Sequence, residues 1–283
     1  MLSVVVNKKF IYLLCMSFSL LINIKAQTFS KETFIIETTF GEIKLKLYEE
    51  TPVHKANFKK LVLNRFFDSL LFHRVINQFM IQGGDQLSKY SNTGDSLGHG
   101  DIGYTLTSEI NPKLIHKKGA LCAAREGDDI NPKFESSASQ FYIVMGKSRT
   151  MEDLKKYEDR INKTHYNNCA REFIKSKQGR ALKQQYNRLT NENKLDSAYL
   201  YNSLIENSTK IEYLKTSEYH FNQKQIDLYT TIGGTPHLDN TYTVFGEVIE
   251  GIEIIDKIAG VSTDSRNRPI KDIRMRIYLL ENK

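Results

Sequence analysis

Two stretches near opposite ends of the chain keep a strict period of two. In GEIKLKLY (Gly41–Tyr48), Ile43, Leu45 and Leu47 alternate with Lys44 and Lys46. In the closing segment, Ile273, Met275, Ile277 and Leu279 alternate with Arg274, Arg276 and Tyr278. Such alternation puts apolar side chains on one face and charged ones on the other, so each stretch reads as a half-buried strand. TFIIETTFGE before the first supplies a partner strand and a turn at Gly41. A strand near each end of a long chain suits a β-barrel closed by its N- and C-terminal strands.

The segments between fit that frame. Leu70–Gly84 reads as strand, turn, strand. GALCAA and SQFYIVMG are short apolar runs bounded by turns, as buried barrel strands are, with the polar loop REGDDINPKFESSA between them. Residues 88–104 are loop, followed by a strand-like YTLTSEI. Thr51-Pro52 begins a helix, with Thr51 expected as N-cap and Pro52 at the first position, where its missing N–H costs nothing. A second short helix, Ile252–Ala259, is expected to end on Gly260.

The texture changes over residues 150–231, which contain no proline and one glycine, Gly179. Met151, Leu154, Tyr157 and Ile161 recur at helical spacing, as do Leu182, Tyr186 and Leu189. Residues 147–231 carry 16 Lys/Arg against 11 Asp/Glu, mixed rather than in blocks. That pattern is a solvated helical surface, and nucleic-acid binding would want a concentrated patch. The expected organisation is a β domain over residues 27–146 and 232–283, with an α-helical insertion at 147–231.

Residues 1–26 read as an export leader. Lys8 and Lys9 precede the apolar run Phe10–Ile24, and Ala26 is a suitable last residue before cleavage. The alternative is an uncleaved anchor, for which the run is short against the roughly 20 residues of a membrane span. Cleavage would remove Lys8, Lys9 and Lys25 and no acid, lowering the net charge from +7 to +4. The product is expected to be exported, periplasmic or secreted, without stable membrane insertion. Of the two cysteines left, Cys122 lies in an apolar run and Cys169 in a polar helical one, so Cys122 reads as a core thiol rather than a disulfide partner.

Three chemistries are set aside. GHGDIG (Gly98–Gly103) satisfies G-x-G-x-x-G but lies in a polar loop, not between a strand and a helix as dinucleotide binding requires. The seven histidines show no metal-ligand spacing, and no metal or other cofactor is expected. No G-x-S-x-G elbow occurs.

One stretch is uneven in a more informative way. FHRVINQFMIQGGD (Phe72–Asp85) interleaves a cation, amides and apolar side chains before two glycines. Followed in order by GALCAAR, SQFYIV and HLDNTYTVFGEV, it resembles the cyclophilin-type peptidyl-prolyl cis-trans isomerases. The resemblance covers Thr33–Gly146 and Thr231–Leu280. It implies a mainly β fold: a closed eight-stranded antiparallel barrel capped by two helices. By the same resemblance Arg74 is the catalytic arginine and Gln82 the glutamine that orients it and binds substrate backbone. Phe79, Met80, Leu238 and Tyr142 (commonly Phe in the family) would wall a proline pocket. His73, Arg125, Gln140 and Tyr242 would complete the substrate-binding set, Arg125 through its main chain. His237 falls where many members have Trp.

The chemistry fits those residue types. An X–Pro bond isomerises over a barrier of about 18–20 kcal/mol because twisting destroys amide resonance. No covalent bond breaks, so no nucleophile is needed. The twisted prolyl nitrogen gains a lone pair, and a guanidinium aimed at it favours the twisted state over the planar one. The function implied is isomerisation of X–Pro bonds in unfolded or flexible polypeptides, assisting the folding of exported proteins. The alternative is a proline-peptide-binding chaperone or scaffold with little turnover.

Overall fold

The computed structural model describes residues 32–280, so the leader pattern lies outside the described residues. Eight strands close into an antiparallel barrel: β1 (Thr33–Thr38), β2 (Gly41–Leu47), β3 (Leu70–Ile76), β4 (Met80–Gly83), β6 (Ala120–Ala123), β8 (Phe141–Val144), β9 (Val244–Glu250) and β10 (Arg274–Leu279). Their order around the barrel is β1-β10-β3-β4-β8-β6-β9-β2, and β2 closes on β1. Ile36 stands between Ile277 of β10 and Ile43 of β2, so the two alternating stretches flank the first strand. Their apolar members are buried in the barrel, apart from half-buried Leu279, while Lys44 and Lys46 reach across to Glu250 and Glu247 on β9.

The interior is apolar and aromatic. Phe58, from helix α1 (Pro52–Leu63), lies with its ring centroid 5.2–5.8 Å from those of Phe34, Phe67, Phe141 and Phe245. Helix α6 (Ile252–Ala259) adds Ile254, Ile255 and Ile258 to the same core. Strands β4, β6 and β8 are buried on both faces. Ile81, Leu121 and Ile143 point into the barrel, whereas Met80, Cys122, Tyr142 and Val144 form a second cluster outside it. That is why GALCAA and SQFYIVMG are continuously apolar rather than alternating.

Two local expectations are corrected. Thr51 precedes α1, but its side chain makes no cap; the Glu109 carboxylate accepts from the N–H groups of Val53 (3.0 Å) and His54 (2.9 Å) instead. A distant acid thus satisfies donors that sequence assigned to a neighbour. YTLTSEI contributes only β5 (Thr105–Leu106), which pairs with β7 (Ser136–Ser137) in a small separate sheet. Gly260 ends α6 as expected, though in a right-handed conformation (φ −86°), so its glycine character is not needed there.

The glycine that is needed is Gly84. Its φ of +92° is left-handed, and a Cβ there would run into the carbonyl oxygen of Ser139. We expect Gly84→Ala to lose about 3 kcal/mol or more, read as a lower urea midpoint, from strain and overpacking together. An unchanged midpoint would refute this account of the turn.

Four helices leave the barrel between β8 and β9: α2 (Met151–Lys175), α3 (Lys177–Asn191), α4 (Leu195–Leu214) and α5 (Gln223–Thr231). The ends of this excursion meet, since Gly234 donates to the carbonyl of Lys147 at 3.1 Å. Its root has its own apolar cluster, in which Leu154 of α2 and Tyr229 of α5 join Phe221 and Ile115, a residue just before β6. Thr150 and Asp153 cap α2 reciprocally, as Asn222 and Gln225 cap α5. No helix among the described residues is long and apolar enough to cross a membrane.

Candidate active site

A bulge creates the site. Phe72 pairs with Gly83 and Arg74 with Gln82, so β3 spends two residues where β4 spends one. In a regular strand Phe72 and Arg74 would share a face, and Phe72 is in the barrel core. The extra residue turns Arg74 outward while Val75 returns to the core. This answers how a cation sits among buried strands. Arg74, Gln82, Tyr142 and Cys122 then form one row across β3, β4, β8 and β6.

The row is ordered by hydrogen bonds. Arg74 Nη1 donates to Gln82 Oε1 (3.2 Å), and Gln82 Nε2 donates to Gln140 Oε1 (3.2 Å). Gln140 Nε2 donates in turn to the carbonyls of Gly98 (3.0 Å) and Gly100 (2.8 Å). The glycine loop of the rejected nucleotide motif is therefore the anchor of this relay. Buried Asp85 holds the loop by accepting from the Gly98 N–H. No carboxylate lies within ion-pair distance of Arg74 among the described residues, so its charge is unspent.

A cavity of about 300 Å³ opens at this row. Phe79, Met80, Tyr142 and Leu238 give it apolar walls, and Arg74 and Gln82 stand on its polar side. His73, Arg125 and Tyr242 also line it. Gln140, expected among the substrate-contacting residues, does not. It is buried behind Gln82, with both donors consumed by Gly98 and Gly100. The Arg125 side chain is likewise occupied. It donates to the carbonyls of Thr241 (2.7 Å) and Glu126 (2.8 Å), pairs with Asp128, and lies between the rings of Phe134 and Tyr242.

Sequence reasoning missed the support behind the apolar wall. The Tyr142 hydroxyl, buried in the outer cluster, meets His116 Nε2 at 3.0 Å. His116 Nδ1 donates to Asp239 Oδ1 (2.8 Å), and Asp239 Oδ2 accepts from the Tyr229 hydroxyl (2.6 Å). Burial pushes the Tyr142 and Tyr229 hydroxyls well above the usual phenol range, so both stay protonated. The chain from Tyr229 to Tyr142 ties helix α5 to the cavity wall. No local pattern announces it, because His116 and Asp239 are 123 residues apart.

His73 and His237 are neutral at physiological pH. Burial pushes His237 down to about 4, with Arg149 and Arg160 adding to the effect. Burial, partly offset by Asp85, also pushes His73 down to about 4, and neither of its ring nitrogens has a partner among the described residues. An unfolded histidine titrates near 6.5, so below that pH the unfolded chain binds a proton that folded His73 refuses until about pH 4. The stability contributed by neutral His73 is thus whole above pH 6.5 and is lost progressively as pH falls toward 4, by up to about 3 kcal/mol. Urea midpoints at pH 7 and pH 4.5 should differ less in His73→Leu than in wild type; equal differences would refute this.

Three comparisons bear on the site. Residues 33–278 match the sequence model of a family described as cyclophilin type peptidyl-prolyl cis-trans isomerase/CLD. A Streptococcus pyogenes protein, provisionally named a bifunctional phosphatase/peptidyl-prolyl cis-trans isomerase, is 27% identical over 242 residues, covering 84% of this chain and 36% of the relative. A Staphylococcus aureus protein, provisionally named a peptidyl-prolyl cis-trans isomerase, is 25% identical over 241 residues, covering 84% and 86%. The chain therefore spans about a third of the first relative and most of the second. The crystal structure of a Cryptosporidium parvum cyclophilin type peptidyl-prolyl cis-trans isomerase superposes with a TM-score of 0.50 at 18% identity, over 89% of this chain and 99% of that one. That likeness concerns the fold.

Proposed function

This chain belongs to the cyclophilin-type peptidyl-prolyl cis-trans isomerase family, and from that premise we propose that its outer cavity catalyses isomerisation of X–Pro bonds in polypeptides. Phe79, Met80, Leu238 and the Tyr142 ring receive the prolyl ring. Arg74 donates to the prolyl nitrogen as the amide twists. Gln82 fixes the guanidinium and offers the substrate backbone an amide. The Arg125 side chain is spent, but its N–H and carbonyl have no partner among the described residues, so main-chain pairing with substrate is open to it.

The observation that carries this reading is an unpaired guanidinium, held by the Gln82–Gln140 relay, at the edge of an apolar cavity. Its rigidity matters. A donor already aimed at the position where the lone pair develops costs no reorganisation at the transition state. The donor can be Arg74 because guanidinium stays charged and keeps a second N–H free while one is bound to Gln82. A protease-free assay of a cis-enriched Ala-Pro tetrapeptide tests the proposal. Relaxation faster than the uncatalysed rate, in proportion to enzyme, is expected. Tight peptide binding without acceleration would favour a binding module instead.

We also propose that the substrates are exported proteins, since residues 1–26 have the charge and apolar pattern of a leader. Mass spectrometry of the protein recovered from outside the cytoplasm should find Gln27 at the N-terminus. Retention inside the cell with residues 1–26 intact would refute this.

A further inference from the structure

A second cavity, of about 440 Å³, adjoins the first; Arg125, Leu238 and Tyr242 line both. Its far wall is the helical excursion. Arg160, Thr164 and Asn168 of α2 face it at a spacing of four, which is one face of a helix. Within the wall, Asn162 bonds both the carbonyl (3.0 Å) and the N–H (2.8 Å) of Tyr219, and both residues line the cavity. The His237 ring lies between Phe79 of the first cavity and Tyr157 of α2, 5.7 Å from each.

The charges at this cavity are unevenly spent. Arg125 is paired with Asp128 at 2.9 Å. The Asp239 carboxylate is consumed by His116 and Tyr229. His237 is neutral, and His165 faces the Thr216 hydroxyl. Arg160 is exposed and forms no ion pair among the described residues. The unspent charge of the cavity is therefore positive.

We propose that this cavity is a second subsite, that it receives the polypeptide flanking the isomerised proline, and that Arg160 selects an acidic side chain there. The proposal rests on the first cavity being the proline site. An extended chain advances about 3.5 Å per residue, so positions about two to five residues from the proline reach the neighbouring cavity. The helical excursion is then the part of the molecule that reads sequence context, while the barrel performs the isomerisation.

The test uses the full chain and two 11-residue peptides with a central Ala-Pro, one carrying Glu and the other Lys at flanking positions on both sides. Wild type should favour the Glu peptide in kcat/KM by about fivefold, the gain of one partly exposed ion pair, with the difference in KM. Arg160→Glu should reverse the preference. Arg180→Glu, a charge change of equal size on exposed α3, should not. Equal rates for both peptides in wild type, or a preference that survives Arg160→Glu, would overturn the subsite. Turnover of the uncharged tetrapeptide reports on the proline site separately. If nothing is turned over, anisotropy binding of the two peptides still reads the charge preference.

Discussion

Replacing Arg74 with alanine is expected to lower kcat/KM on an Ala-Pro tetrapeptide about 100- to 1000-fold, the usual cost of removing one preorganised transition-state donor. The loss should fall on kcat, because a planar prolyl amide offers its nitrogen no lone pair to accept the bond. KM should change little, since the apolar walls formed by Phe79, Met80 and Leu238 remain. Lysine at position 74 should restore little. An ammonium cannot be held in plane by Gln82 and present a fixed second donor in the way a guanidinium can. A protease-free assay separating kcat from KM reads both effects. An alanine variant with wild-type kcat would remove Arg74 from the mechanism.

The second large effect is expected on stability. Asp239 is 2% exposed, and its carboxylate takes the His116 N–H (2.9 Å), His116 Nδ1 (2.8 Å) and the Tyr229 hydroxyl (2.6 Å). Asp239→Ala leaves three buried donors without an acceptor. At about 1–3 kcal/mol for each orphaned group, a loss of at least 3–5 kcal/mol is expected in urea or thermal unfolding. Asp239→Asn should cost less, since it keeps the volume and one acceptor oxygen. A double-mutant cycle with Tyr229→Phe should give a coupling of about 1–2 kcal/mol. A loss below 1 kcal/mol for Asp239→Ala would mean that the network does not hold the cavity wall to α5.

That network alters the meaning of the helical excursion. Its proline-free, glycine-poor, mixed-charge sequence marks it off from the barrel. Yet Tyr229 is fully buried against Phe221 and bonded to Asp239, so the root of the helices shares hydrogen bonds and apolar contact with the segments carrying His116 and Leu238. Composition changes where solvent exposure changes. It does not register where one buried tyrosine ties two segments together.

The site was legible to a similar depth. Arg74, Gln82, Phe79 and Met80 occur within nine residues, and that local mixture of chemistries needs an explanation that ordinary core packing does not give. Tyr142 and Leu238 were reachable only through family resemblance across the helical excursion. Gln140 was identified as a site residue, but its place behind Gln82 depends on the Gly98 and Gly100 carbonyls, in a loop about 40 residues away.

By itself the sequence determined what period-two and helical spacing encode: terminal strands with one buried face, two short helices, a helical excursion, and a compact group of chemically unlike residues. Those are local properties, set by which side chains share a face. The tertiary structure alone decided that a bulge at His73 turns Arg74 out of the core, that Glu109 caps a distant helix, and that Tyr229, Asp239 and His116 support Tyr142. Each of these is a hydrogen-bonding demand met by a partner distant in sequence or across a strand register, and neither is written in the residues on either side.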